Sequence, residues 1–323
     1  MDVKQKSFFD EPEPPILDDP WTDDGPVGEL ASTIGSYLRT SDTYNRRILP
    51  IAEQVKVNVP PVPSGPRYCA FDLEIAQPFE LGRPFGISCA ATLNSNGELT
   101  LWHGYGPGGA PLPDRMNPME VQELAGYLLH QQAQGYTVVT FNGLGFDMDV
   151  LGEECQNAHW RADVAKLALE HIDIGFEMHC QMGYMTGLAK LSEGLGVGGK
   201  TEGMHGDLAP FIWSGNLEAA TDEQREQISA LSVEPGTRKA QDLCLEYVGQ
   251  DAKLTADVYK ALLDQRYVYW TTQRGTQSRY PWTPETKDGR LLTVNESLLI
   301  PEPDTSWMSN PRTRADLLKW TQQ

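Results

Sequence analysis

From Arg67 onward the chain alternates between short apolar runs and turn signals, and the period of each run assigns its element. The run "RYCAFDLEIA" (67–76) is apolar except for two acids set two apart, which reads as a covered strand. "FGISCAATLNSNGELTLWHG" (85–104) reads as two strands around Asn94-Ser95-Asn96-Gly97, a hairpin turn in which Asn-Gly supplies the positive φ angles. "NPMEVQELAGYLLHQQAQG" (117–135) carries a helical period, with Asn117 as cap, Pro118 at the first position and a glycine stop. "YTVVTF" (136–141) is a fourth strand, 146–170 is one helical stretch, and "HIDI" (171–174) is a short fifth strand. Helices follow at 185–196 and 221–232, and a long last one runs from about Thr237 to Arg266. Three antiparallel strands, then helix–strand–helix–strand, predict an α/β fold with a mixed five-stranded sheet flanked by helices.

The flanks have no such period. Residues 1–66 contain "DEPEPPILDDPWTDDGP" and "VNVPPVPSGP", acid- and proline-rich stretches that bury too little to order themselves, with a short amphipathic patch around "GELASTIGSYL". They are expected to form a disordered tail. Residues 267–323 hold five prolines and scattered aromatics, and read as an irregular extension packed on a domain spanning 67–266.

Charge narrows the partners. The net charge is −19, and 67–266 alone carry 28 acids against 13 bases. A broad basic face for long duplex DNA is therefore not expected, and a nucleic-acid partner has to be held locally or with metal ions. No apolar run is long enough to span a membrane, and the N-terminus lacks the apolar core of a signal peptide. Five scattered cysteines (69, 89, 155, 180, 244), none in a CxxC pair, fit a reducing cytoplasm rather than a zinc cluster.

The acids in the first strand raise a physical question. Asp72 and Glu74 lie two apart, so they share a face and repel, unless a cation lies between them. Two further acids are placed to join them. Asn142 and Gly143 turn the chain after the fourth strand and put Asp147 near the start of a helix, a common functional position. Tyr247 and Asp251, four apart, share a face of the last helix. Four carboxylates converging on one point suit two Mg²⁺ or Mn²⁺ ions, which can clamp an in-line displacement at phosphorus.

The three segments "FDLE", "NGLGFD" and "YVGQD" resemble the D-x-E, N-x₃-F-D and Y-x₃-D motifs of the DEDD 3′–5′ exonucleases. The tyrosine of the last resembles the DEDDy branch. The stretch from "TGLAKLSEGLGVGGK" onward is similar to the intervening segment of the proofreading domain of family B DNA polymerases. The resemblance covers roughly 67–266. It implies a ribonuclease H-like fold, two divalent metal ions held by Asp72, Glu74, Asp147 and Asp251, and release of nucleotides from the 3′ ends of single-stranded DNA or RNA. It further suggests that Lys200, otherwise a solvated loop lysine, approaches a phosphate of the substrate; beside it, His205 of the same loop and Asn142, which holds the turn, are candidate substrate contacts. Ile75 stands where members often have Thr or Ser to meet the terminal nucleotide, a departure at that substrate contact.

Other readings stand beside this one. The acidic surface suits a phosphodiesterase of dinucleotides or short oligonucleotides, and the same fold also serves as an interaction module with a vestigial site. Asp149, Asp173 and Asp257 are neighbouring acids, of which Asp149 and Asp257 read as structural. Phe79, Phe85 and Trp102 are candidates for base stacking, with core or surface packing the plainer reading. "QKSFF" (Gln5 to Phe9) loosely resembles the peptides by which bacterial replication proteins hold a sliding clamp.

Overall fold

The computed structural model describes residues 65–199, 201, 203–265, 267–272, 275–282 and 289–322. The expected tail up to residue 64, Gln5–Phe9 within it, and Lys200 lie outside the described residues.

Strand β1 (Tyr68–Ile75) is the middle of a five-stranded sheet. The others are β2 (Ile87–Asn94), β3 (Leu99–His103), β4 (Thr137–Thr140) and β5 (Ile172–Asp173), in the order β3-β2-β1-β4-β5. β1, β2 and β3 pair antiparallel, whereas β4 and β5 join in parallel. This is a mixed α/β, ribonuclease H-like sheet flanked by helices. The β2–β3 turn departs from the expected one in detail. Gly97 takes a positive φ of 85°, but Asn96 does not. The side chain of Asn94 instead fixes the turn by accepting the N–H groups of Asn96 and Glu98.

Helix α1 (Pro118–Ala133) starts at Asn117, whose side chain forms a capping box with Glu120. The stretch 146–170 is two helices, α2 (Asp147–Glu154) and α3 (Ala158–Glu170). Gln156, at φ 50°, breaks them, and Asn157 restarts the chain by accepting the N–H groups of His159 and Trp160. A helix absent from the sequence reading, α4 (Ile174–Met182), follows β5 directly. It is buried at every position but Gln181, so it has no polar face to give it a helical period. Next come α5 (Leu188–Leu195), a short α6 (Ala209–Ser214), also unforeseen, and α7 (Asp222–Ala230).

Helix α8 (Arg238–Asp264) is the long last helix, capped by Thr237. Its apolar positions Leu254, Val258, Tyr259 and Leu262 share a core with Tyr68, Ala70 and Val139 of the sheet. Residues 267–323 are more regular than their prolines suggest. They hold a hairpin of β6 (Tyr267–Thr271) and β7 (Gln277–Pro281), then short helices α9 (Val294–Ser297) and α10 (Arg314–Leu318). Val268, Trp270, Trp282 and Leu291 enter the same core.

Candidate active site

One aromatic contact sets the register of the site. Tyr68, at the start of β1, meets Tyr259 of α8 edge to face at 5.3 Å between centroids. From Tyr68 to Asp72 the strand rises about 13 Å. From Tyr259 back to Asp251 the helix runs about 12 Å. Two more strand residues reach Glu74, and one more helical turn reaches Tyr247. α8 therefore lies antiparallel along the face of β1 that carries Tyr68, Ala70, Asp72 and Glu74, and its own acid and phenol arrive beside the strand's acids. Asp72 and Asp251 accordingly line one cleft of about 300 Å³, together with Phe141, Asn142 and residues 185–188.

Asp147 arrives from the other end. It opens α2, and its Oδ1 accepts the backbone N–H of Leu73 at 3.1 Å. That N–H belongs to the residue between Asp72 and Glu74, so the bond pins the third acid to the strand carrying the first two. The turn before it is tightly built. Asn142 takes a positive φ of 66°, and a Cβ on Gly143 would collide with the side chain of Thr140. Thr140 Oγ1 accepts the Gly143 N–H at 3.1 Å.

Burial and mutual repulsion shape the electrostatics. Glu74, Asp147 and Asp251 are 6%, 4% and 3% exposed. Burial pushes the Asp147 carboxyl up to about 7, helped by the charges of Asp173 and Asp251 and opposed by the Leu73 N–H. Burial, then the charges of Glu74, Asp251 and Asp72, hold the Tyr247 phenol well above its ordinary range. Its O–H also donates to Asp251. The phenol therefore holds its proton against these neighbouring acids.

Asp173 is the residue that sequence reasoning left without a role. Buried at 1% exposure, its Oδ1 accepts the N–H of Asn142 at 2.8 Å and of Phe176 at 3.0 Å, and its Oδ2 accepts that of Leu144 at 2.8 Å. It thus caps α4 and holds the Asn142–Asp147 turn together. Its signal was present: an acid ending a strand, three residues before a helical N–H.

The remaining candidates separate. Asn142 lines the cleft. Ile75 is 2% exposed and is not among the cleft-lining residues, so its side chain presents no surface for the substrate contact considered at that position. The exposed His205 precedes Gly206, where a Cβ would stand 3.6 Å from Glu74 Oε2, which puts its loop beside the acids. Asp149 pairs with Arg83 and Arg161, and Asp257 with Lys260. Phe79 is exposed and packs against Phe85 and Phe146, while the indole of Trp102 donates to Thr92.

Among the described residues, no group of three or more His, Cys, Asp and Glu side chains is placed to hold a metal ion. The donor chemistry nonetheless fits a divalent cation. All four candidate ligands are hard carboxylate oxygens, and burial first, then the charges of Asp173 and Asp251, raise the Asp147 carboxyl, effects that a bound cation would offset. Among the described residues, no helix is long and apolar enough to cross a membrane.

No protein-family model matches the chain. No curated protein matches it either. Among solved structures, the chain is similar to the family B DNA polymerase from the hyperthermophilic archaeon Pyrobaculum calidifontis, at 16% identity and a TM-score of 0.38. That similarity covers 61% of this chain and 24% of the polymerase, so the chain spans about a quarter of the polymerase's length.

Proposed function

We propose that the protein is a metal-dependent 3′–5′ exonuclease acting on single-stranded or short nucleic acid. The observation that carries this reading is the bond from Leu73 N–H to Asp147, which brings the second motif onto the strand of the first, with Asp251 of the third motif on the same cleft as Asp72. Asp72, Glu74, Asp147 and Asp251 would hold the ions. Bound divalent metal supplies positive charge to the phosphate oxygens and acidifies water.

The chain's own residues do the rest. Hydrolysis joins a water oxygen to phosphorus and breaks the P–O3′ bond, releasing a nucleoside 5′-monophosphate and a new 3′-hydroxyl. Tyr247 keeps its proton and donates a hydrogen bond to Asp251, which leaves the phenol oxygen able to accept a hydrogen bond from the attacking water and orient it. Asn142 lines the cleft, and in this reading it contacts the terminal nucleotide. The excess of acids over bases across the domain supports a substrate held around its last few phosphates rather than along a track.

A 5′-labelled single strand, a duplex and a dinucleotide, each incubated with Mg²⁺, Mn²⁺ or chelator, test the proposal. A metal-dependent ladder shortening from the 3′ end of the single strand is expected. Cleavage of the dinucleotide alone would replace this reading with the small-substrate phosphodiesterase. No cleavage of any substrate would leave the interaction module.

A further inference from the structure

The turn that delivers Asp147 is gripped from two sides, and one grip comes from the C-terminal segment. Leu144, three residues before Asp147, is the shared point. Its N–H donates to Asp173 Oδ2 at 2.8 Å, and its C=O accepts the indole N–H of Trp320, also at 2.8 Å. Trp320 is buried. Leu317, 2% exposed, sets its Cδ2 3.0 Å from where a Cβ would stand on Gly145, so the segment and the turn are in close packing. The segment is itself anchored. Thr313 and Asp316 cap α10, and the Arg314 guanidinium donates to the carbonyls of Cys180, Leu298, Ile300 and Pro301. Cys180 lies on α4, the helix that Asp173 caps. Both grips are therefore tied to one helix.

We infer that residues 313–322 are a positioning element of the active site, with Trp320 the residue that fixes the Leu144–Asp147 turn opposite Asp173. Leu144 is thus held through both of its flanking peptide units, one by its N–H and the next by its C=O, and neither unit can rotate without breaking a bond. Without the indole N–H, the Leu144 carbonyl loses its partner at a buried site, and the peptide gains a reason to turn. Asp147 would then lose its alignment with Leu73. The hydrogen bond of Trp320 is to the backbone, so it acts on the acids as a positioning residue. Its effect on cleavage rests on the nuclease reading, while its effect on the turn does not.

The test uses the full chain with Trp320→Phe, which keeps an aromatic ring and removes the N–H. Trp307→Phe is the control, because it deletes an indole bond to Asp304 O at 3.1 Å elsewhere in the same extension. Amide exchange at Leu144 and Met148 is expected to quicken about tenfold in Trp320→Phe, on the scale of one lost hydrogen bond. Mn²⁺ affinity by calorimetry should weaken about 3- to 10-fold by the same scale. kcat on a short single strand should fall about tenfold with KM unchanged, and Trp307→Phe should match the parent throughout. Parent-like exchange and Mn²⁺ affinity in Trp320→Phe, with only a lowered melting temperature, would overturn the inference and leave Trp320 as packing. Should Trp320→Phe not fold, Leu317→Ala reads the same turn through the loss of its packing, with the same two outcomes. A parent protein that cleaves nothing would sink the nuclease reading alone, and amide exchange would still decide this one.

Discussion

Asp173→Asn is the substitution that most directly tests whether the turn before Asp147 is built by hydrogen bonds. In the parent, three backbone N–H groups, of Asn142, Leu144 and Phe176, end on this one buried carboxylate. Each N–H left without an acceptor costs about 1–3 kcal/mol. Asp173→Ala would strand all three. Allowing for water entering the vacated space, it should cost about 3–6 kcal/mol, a large share of the ~5–15 kcal/mol that holds a domain folded. Asparagine is milder and more informative. Its single oxygen can keep the Asn142 and Phe176 bonds, but its NH₂ must then face the Leu144 N–H, donor against donor. That orientation forfeits one charge-assisted bond and adds a repulsion, about 2–4 kcal/mol together. The strain falls on the peptide three residues from Asp147. A displacement of about 1 Å at a catalytic group can cost on the order of 10²-fold in rate. Urea unfolding and single-turnover cleavage of a short strand measure the two effects. Parent stability together with the parent rate in Asp173→Asn would refute the reasoning, because it would mean that the turn holds its shape without these bonds.

Tyr247→Phe should keep Mn²⁺ affinity and lose about tenfold in single-turnover rate, while Asp251→Ala should weaken Mn²⁺ binding and lose ~10³-fold. An Asp251→Ala protein that cleaves like the parent, or a Tyr247→Phe protein that no longer binds Mn²⁺, reverses the roles assigned here. Glu177 on α4 is fully buried, accepts from Gln181 and the Leu292 N–H, and is pushed up to about 8 by burial. Because its folded value lies above its ordinary 4.5, its contribution is complete below about 4.5 and is lost as pH rises through about 8. Thermal midpoints should therefore decline across that window, and Glu177→Gln should flatten the decline; an unchanged slope counts against the buried, protonated carboxyl. The logarithmic salt dependence of single-strand binding should correspond to about two to four phosphates, and a slope implying eight or more would expose a basic surface not described here.

The sequence made the strands and the acids legible for the same reason: both follow short, strict periods. Asp72 and Glu74 stood out because carboxylates are rare on a covered strand, and Tyr247 and Asp251 because four residues make one helical turn. The cap at Asn117 was equally plain, and Thr237, legible as the approximate start of the last helix, turned out to be its cap. What stayed hidden lacked contrast. α4 is buried nearly all round, so no polar positions mark its turns. The break at Gln156 rests on a positive φ in a residue that rarely adopts one, although Asn157 did carry a cap signal. Asp173 was visible as an acid, but its three bonds run to main-chain N–H groups that no side-chain pattern reports. Trp320 lies 176 residues from the carbonyl it meets, and nothing local in "LLKWTQQ" announces that partner.

A site of like charges is a poor organiser of itself, and the apolar core takes over that task. Asp72, Glu74, Asp147 and Asp251 gain nothing from approaching one another, so their placement must come from contacts that do favour burial. Along α8 those contacts are Leu254, Val258, Tyr259 and Leu262 against Tyr68, Ala70 and Val139. On the N-terminal side of the acids they are Cys244, Leu245 and Val248 with Cys89 and Ala91 of β2. The acids lie between these two apolar stretches and inherit their register. A slip of one residue in β1 would turn Asp72 and Glu74 to the opposite face of the sheet and expose or misplace Tyr68 and Ala70 at the same step. A slip of one residue in α8 would rotate Tyr247 and Asp251 about 100° away from the strand and take Tyr259 off Tyr68. Each error in the site is thus coupled to a loss of core packing about 12 Å away. The alignment of mutually repelling carboxylates is stabilised by side chains that never touch the cleft.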